Sequence, residues 1–325
     1  MKRAKTFLSK LIRFLRSQFA KETSLPHEVP IPIQRYVRSE ANEVTNYWTK
    51  HTVQSTPFKN ARESLKYVDW IDEQYPLYHE FMQLYLPFNN QVVLDYGCGP
   101  ANDLVGFLHY SAAKKVIGVD VSEKALRLGS YRLGLHDFDP QRIELILITE
   151  SIVGTPLEDA SVDYIHSQGV LHHTTNPEGI LGEFFRILKP GSQARIMVYN
   201  YFSIFVQLFI AYKRMIIDDA YKGLTLPEAF TRSTDGKDCP ISFYNRPEEF
   251  IAMCTEAGFQ TEYVGGYFNI MELDWLKKYQ ARAMKDDRLA TEHREFISNL
   301  SFDQSGYPLY QDKHAGIGGV YLLSK

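Results

Sequence analysis

Cysteine is scarce in this chain: Cys98, Cys239 and Cys254 are the only three among 325 residues. They are odd in number, far apart and form no CxxC pair, which excludes a disulfide framework and a cysteine zinc site. The ten histidines show no zinc-like spacing with carboxylates, so no metal is expected. Long apolar runs are missing too; none reaches the roughly 18 residues that a membrane-spanning helix needs. No internal repeat or low-complexity tract occurs. Beyond residue 21 there is no basic stripe, which argues against nucleic acid as a partner.

What charge there is sits unevenly. The chain carries a net charge of −3, yet Met1–Lys21 holds seven Lys or Arg and no acid, which leaves the remainder at −10. Ala4, Phe7, Leu8, Leu11, Ile12, Leu15 and Phe19 fall at helical three-and-four spacing, with Lys2, Lys5, Lys10, Arg13 and Arg16 mostly off that face. Such a basic amphipathic helix suits contact with anionic lipid, each basic residue contributing about 1 kcal/mol. Packing on the domain or on a second subunit is the other reading. The segment lacks the continuous apolar core of a secretory signal. The expected location is cytoplasmic, peripheral on the inner face of the membrane. At 44% apolar and 23% charged residues, the rest has an ordinary globular composition.

The most informative stretch is Val92–Leu104, VVLDYGCGPANDL. Val92, Val93 and Leu94 form an apolar run suited to a strand covered on both faces. Gly97 and Gly99 allow positive φ and close backbone approach to a ligand, with Cys98 between them as a small residue that fits. Pro100 suits the start of a helix. A dinucleotide fingerprint needs a third glycine three residues after the second, and that place is Asn102. Asp95, two residues before Gly97, would repel a pyrophosphate but attract an amino group. A second apolar run, Lys115–Asp120, ends in a carboxylate 21 positions after Gly99. A carboxylate there can accept both ribose hydroxyls, at roughly 1.5–3 kcal/mol each. An adenosine with an amino-acid tail and no phosphate satisfies these groups: S-adenosylmethionine.

With these residues the chain resembles the class I S-adenosylmethionine-dependent methyltransferases. Gly154–Asp163 (GTPLEDASVD), Tyr164–His173 (YIHSQGVLHH) and Arg186–Gly191 (RILKPG) continue the resemblance in the family's order, so that it covers about residues 91–200. Ala101 stands where the family often has glycine, and Thr155 where it often has leucine. The resemblance implies a doubly wound, seven-stranded, mostly parallel Rossmann-like sheet, its seventh strand antiparallel between the fifth and sixth. It also implies N-terminal helices lying over the cofactor as a lid.

The expected organisation is a basic helix over 1–21, a linker and helical cap over 22–90, and a methyltransferase domain over 91–325 with insertions at 201–245 and 267–317. Pro26, Pro30 and Pro32 mark Glu22–Gln34 as extended linker, and helices are predicted over Ala61–Glu73 and Leu77–Leu86. The apolar helix over Tyr201–Met215 is read first as core, with pocket closure, lipid contact and subunit pairing as other uses. Helices over Arg246–Phe259 and Leu273–Lys285 and strands over Gln260–Val264 and Gly318–Ser324 complete the reading.

Ligands of such sheets bind at the carboxyl ends of strands, at the topological switch point. The cofactor-binding residues expected there are Asp95, Gly97, Cys98, Gly99, Asp120, Val121 and Gln168, with Glu150, Ser151 and Ile152 beside the adenine. Gln168, His172 and His173 end the fourth strand of the family pattern and are the catalytic candidates. Of the histidines, His172 is the preferred general base, because it lies closer to the strand; the alternative is that the pair only shapes the pocket. Tyr199, Asn200, Tyr201 and Ser203 are candidates for positioning substrate, and Tyr47, Trp48 and His51 for a cap. The expected reaction is methyl transfer to a small-molecule, saccharide or lipid-linked acceptor, at oxygen. The rival readings are a catalytically silent cofactor-binding regulatory or scaffold protein and an NAD-dependent oxidoreductase.

Overall fold

The structure is a computed structural model and describes residues 26, 28–37, 40–149 and 154–325. The basic segment Met1–Lys21 and the adenine-side candidates Glu150, Ser151 and Ile152 lie outside the described residues.

The apolar runs of the sequence become strands of one large sheet: β1 (Ile33–Tyr36), β2 (Val92–Tyr96), β3 (Lys115–Asp120), β4 (Ile143–Ile148), β5 (Val162–Gln168), β6 (Leu188–Tyr199), β7 (Gln260–Tyr267) and, after a small three-stranded sheet β8–β10 (Ser301–Phe302, Pro308–Tyr310, Lys313–His314), β11 (Gly318–Ser324). Their spatial order is β1-β4-β3-β2-β5-β6-β11-β7. β11 is antiparallel to both β6 and β7, as the sequence predicts, and every other pair in the large sheet is parallel.

The sheet has eight strands rather than seven. The stretch read as linker contributes β1, an edge strand parallel to β4. Ile31 is buried, and its N–H and C=O both bond to Ser130 Oγ, at 2.9 and 2.8 Å. The prolines that suggested a linker stand at the entrance to an edge strand, where a missing N–H breaks no ladder.

Period-2 alternation splits the strand residues between two cores. Val93, Val116, Leu145 and Tyr164 face one side, with α4 (Asn102–Tyr110) and the cap helices α2 (Ala61–Gln74) and α3 (Tyr78–Met82). Leu94, Ile117, Ile146 and Ile165 face the other, against α6 (Pro177–Ile187) and α8 (Pro247–Glu256). Each such side chain contributes about 1.5–3 kcal/mol on burial. A first cap helix, α1 (Glu43–Lys50), is started by the Asn42 side chain. α5 (Glu123–Gly134) follows β3 and is capped by Ser122. From α5, the buried Arg132 ties the cap to the sheet domain through Ser64 Oγ at 2.7 Å and Asn102 Oδ1 at 3.2 Å.

The predicted apolar helix after β6 is present over Phe205–Ile217, wound with π-type spacing. Val206, Leu208, Ile210, Ala211 and Tyr212 are buried in it, as its core reading requires. It packs against α7 (Leu226–Thr231), α9 (Ile270–Ala283) and α10 (Thr291–Ser298), which belong to the insertions. Phe209 stacks on Trp275 at 3.7 Å. Among the described residues, no helix is long and apolar enough to cross a membrane.

Candidate functional site

The glycine turn after β2 is held by its neighbour strand. Gly97 (φ 82°) and Gly99 (φ 51°) adopt left-handed backbone, as does Ala101 (φ 61°). Left-handed geometry costs a non-glycine residue roughly 1–2 kcal/mol, which accounts for the glycine the family often has at the Ala101 position. The N–H groups of Gly97 and Cys98 donate to the Val119 carbonyl at 2.7 and 3.0 Å, and that of Gly99 donates to Asp120 Oδ2 at 2.8 Å. These three donors are therefore engaged by the end of β3. The turn presents a surface without Cβ atoms: one added at Gly99 would meet nothing within 4 Å. Helix α4 starts at Asn102, after Pro100 and Ala101, and has no side-chain cap. Asn102 accepts from Arg132 instead of providing the bare backbone of a dinucleotide loop.

Two carboxylates flank this turn. Asp120 accepts from Gly99 N–H through Oδ2 and from Ser122 N–H through Oδ1, and burial raises its pKa against those bonds. Asp95 is buried, with His166, Asp103 and Asp120 as the charged groups around it. Burial, opposed by His166 and reinforced by Asp103 and Asp120, pushes its carboxyl up to about 7. Next to it, Asp103 accepts from His166 Nε2 at 3.1 Å and from the Tyr78 hydroxyl at 2.9 Å. Burial disfavours charge on both members, but the His166–Asp103 bond wins: the acid is lowered and the imidazole raised. The Tyr78 hydroxyl also lies 3.1 Å from Gln168 Oε1, and Gln168 Nε2 donates to the Tyr267 hydroxyl at 2.9 Å. A cap residue, the glycine-turn helix and the end of β5 are thus joined in one buried polar network.

Aromatic side chains stand over the same end of the sheet. Tyr75 meets Tyr267 edge-on at 6.1 Å, and Tyr78 meets it at 5.1 Å. Tyr75, Tyr199, Gln168 and Asp120 are partly exposed around the strand ends, which leaves an opening there. Asp235, from the polar stretch Thr231–Pro240, accepts from the Tyr199 hydroxyl at 3.1 and 3.2 Å and from Ser242 Oγ at 3.2 Å. Tyr47 donates its hydroxyl to the Asp235 carbonyl and stacks on His51 at 4.1 Å. Trp48 meets His173 edge-on at 4.8 Å.

The two candidate histidines differ. His172 is fully buried between His173 and Tyr199, and neither of its ring nitrogens has a partner. Burial, then the adjacent His173, holds it well below the usual histidine range. His173 has its Nδ1 2.7 Å from the Ile241 carbonyl and its Nε2 3.5 Å from Asp235 Oδ2. Burial lowers it against Asp235 and the Ile241 bond. The geometry gives His173, not His172, the carboxylate neighbour.

Asp95, Gly97, Cys98, Gly99, Asp120, Val121 and Gln168 lie at the strand ends where the sequence puts them. Cys98 is a buried thiol raised by burial, and Gly118 across from it would place a Cβ 2.9 Å from its sulfur. Of the four positioning candidates past β6, only Tyr199 turns to the opening. Asn200 bonds to the Phe202 and Gly316 carbonyls, Ser203 to the Asn200 carbonyl, and Tyr201 to Glu292. Asn200 and Ser203 thus hold backbone, and Tyr201 holds a side chain of the second insertion. Sequence reasoning missed Tyr78, Asp103, His166 and Asp235. A histidine inside the apolar run of β5 and an acid in the first turn of α4 were the available signals; Asp235 had none. Among the described residues no group of three or more His, Cys, Asp or Glu could hold a metal.

This sheet order, with the antiparallel β11 and a glycine turn flanked by two acids at the switch point, defines a Rossmann-like fold of the adenosyl-cofactor type. Residues 94–196 match the family model of the methyltransferase domain. Over those residues the chain is similar to the methyltransferase-domain family. It is 29% identical over 153 residues to an uncharacterized methyltransferase of Schizosaccharomyces pombe, covering 46% of this chain and 48% of that one. It is 26% identical over 212 residues to a ubiquinone biosynthesis O-methyltransferase of Hydrogenovibrio crunogenus, covering 63% and 76%. The chain spans less than half the length of the first curated relatives it matches. Its fold is similar to a chain in a Haloferax volcanii complex of a methyltransferase with the Trm112 methyltransferase activator. That TM-score is 0.51 at 14% identity, covering 88% of this chain and 99% of that one.

Proposed function

We propose that this protein transfers a methyl group from S-adenosylmethionine to an oxygen of a small-molecule, saccharide or lipid-linked acceptor. The observation that carries the cofactor half is the pair Asp95 and Asp120 on either side of a turn that is open above Gly99. Asp95, a buried carboxyl at the end of β2, fits the ammonium of an amino-acid tail. Asp120 has lone pairs left after its two backbone bonds and fits ribose hydroxyls. The space over Gly99 fits a group that must approach backbone closely. When bound, the cofactor supplies a methyl group already activated on a sulfonium. The chain's own residues have to align the acceptor and exclude water, which can be worth roughly 7–11 kcal/mol. Tyr47, Trp48, Tyr75, Tyr199 and Tyr267 form apolar walls for that purpose, and Gln168 lies between the two halves of the opening.

The likeness to an O-methyltransferase of quinone biosynthesis supports a lipid-like acceptor and transfer at oxygen. The basic segment Met1–Lys21 supports a membrane-surface location, tested by co-sedimentation with anionic vesicles that is lost in high salt and on deleting these residues. Calorimetry tests the cofactor: S-adenosylhomocysteine binds, NAD does not, and Asp120→Ala weakens the former by at least about tenfold, the loss of one charge-assisted bond. Unchanged affinity in that variant overturns the reading.

A further inference from the structure

We propose that His173 and Asp235 form the proton-accepting pair of this site and that the acceptor group is a phenol-type hydroxyl. The inference rests on the methyl-transfer reading above and deepens it.

The tautomer of His173 is fixed by its surroundings. A carbonyl oxygen can only accept, so the 2.7 Å contact with Ile241 places a proton on Nδ1. In the neutral ring the lone pair then lies on Nε2, the form a general base needs. Nε2 stands 3.5 Å from Asp235 Oδ2, beyond the roughly 2.7–3.2 Å of a direct hydrogen bond. That spacing leaves Asp235 near enough to stabilise an imidazolium without already holding its proton. The carboxylate is itself oriented by Tyr199 and Ser242, and the segment carrying it is fastened to α1 by Tyr47. The titratable groups facing His173 are His172 from its own turn, Tyr199 from β6 and Asp235 from the insertion; Trp48 from α1 meets the ring edge-on. His173 keeps 4% and Asp235 17% of the side chain open, whereas His172, the base favoured from sequence, is fully buried with no carboxylate beside it.

The class of hydroxyl follows from base strength. An ordinary imidazole has a pKa of about 6.5 and a phenol about 10. An aliphatic hydroxyl lies near water, at about 15.7, so relaying its proton to the same base is over five orders of magnitude less favourable. Among the described residues Asp235 has no Lys or Arg partner, and it would repel an anionic acceptor. Flat tyrosine and tryptophan walls suit an aromatic ring. In the transfer, the oxygen–carbon bond forms as the carbon–sulfur bond breaks and its electron pair returns to sulfur. The hydroxyl proton passes to His173 Nε2, to be released to water afterwards. His173 is then a catalytic residue and Asp235 a positioning residue.

The test uses the full chain saturated with S-adenosylhomocysteine and labelled with ¹⁵N-histidine. Multiple-bond ¹H–¹⁵N spectra from pH 5 to 9 should show His173 as the Nδ1–H tautomer when neutral. Asp235→Asn should lower its protonation constant by about tenfold or more, as loss of a neighbouring charge does. With catechol as acceptor and tritiated S-adenosylmethionine as donor, His173→Gln should cut turnover by roughly 10²-fold or more. Asp235→Asn should cut it by at least about tenfold, with S-adenosylhomocysteine affinity within about threefold of wild type. Tyr199→Phe, which removes one donor from the carboxylate, should lower turnover as Asp235→Asn does but without lowering the His173 protonation constant, and serves if that variant does not fold. An Nε2–H tautomer, an unmoved His173 titration in Asp235→Asn, or equal catechol turnover in wild type and His173→Gln overturns the pair. A wild-type chain that binds S-adenosylhomocysteine but leaves catechol unmethylated overturns the phenolic class. Failure to bind S-adenosylhomocysteine at all defeats the underlying methyltransferase reading instead.

Discussion

If Asp95 holds the ammonium of the cofactor, as proposed, cofactor affinity should depend on pH. The Asp95 carboxyl is raised from an ordinary 3.8 to about 7, mainly by burial. A protonated Asp95 cannot pair with the ligand's ammonium, so below pH 7 binding must first expel a proton. At pH 5.5 only about 3% of the carboxyl is ionised, which costs roughly 30-fold in affinity, or about 2 kcal/mol. Affinity should therefore climb up to tenfold per pH unit from about pH 5 to 7. Above about pH 8 the ligand's own α-amino group loses its proton, and affinity should fall again. Isothermal calorimetry of S-adenosylhomocysteine between pH 5.5 and 9 gives the curve directly. Asp95→Asn should bind weakly at every pH and lack the acid limb. A wild-type affinity that stays flat from pH 5.5 to 7.5, or an acid limb that persists in Asp95→Asn, refutes the reasoning.

The two glycines of the turn should fail in different ways. A Cβ at Gly97 would lie 2.2 Å from Val170 Cγ2 at φ 82°, so Gly97→Ala should lose at least about 2 kcal/mol in urea unfolding. Gly99→Ala should lose only about 1 kcal/mol but bind S-adenosylhomocysteine at least about tenfold more weakly, because its methyl group enters open space; equal stability losses would contradict this. Glu272, which accepts from Asn269, Ile317 and Phe205 N–H groups, is pushed up to about 8 by burial. The folded chain therefore binds a proton that the unfolded chain has released above about pH 4.5, so this group's contribution to stability falls as pH rises from there through 8. Urea unfolding at pH 5.5 and 9 should show the drop, reduced in Glu272→Gln; a drop of the same size in that variant removes Glu272 as its source.

The floor of the site was legible in the sequence because its parts are local: a strand, a turn and a strand end within 29 residues, Val92 to Asp120. Strand β11 was found with its bounds intact, since GGVYLLS is short, β-branched and aromatic. Strand β1 was missed because three prolines outweigh four strand residues, and only the pairing with β4, more than 100 residues away, decides the matter. Asp235 was unreadable for a similar reason. An acid among Thr, Ser, Gly and Lys has the composition of a solvated loop, and its partners Tyr47, His173 and Tyr199 are distant in sequence. The choice of His172 over His173 relied on distance from the strand, whereas the tautomer and the carboxylate partner come from Ile241 and Asp235, both in an insertion.

The bond between Tyr47 and the Asp235 segment joins two pieces of chain that both lie outside the segment 94–196 matched by the domain model. On the proposed reading, two short stretches, about residues 42–52 and 231–242, share in acceptor choice and are joined by that bond. Retargeting such a protein could begin in these two stretches and leave the glycine turn untouched. Exchanging those two stretches together would change what is methylated, whereas exchanging either alone would leave the Tyr47 hydroxyl or the Asp235 carbonyl without its counterpart.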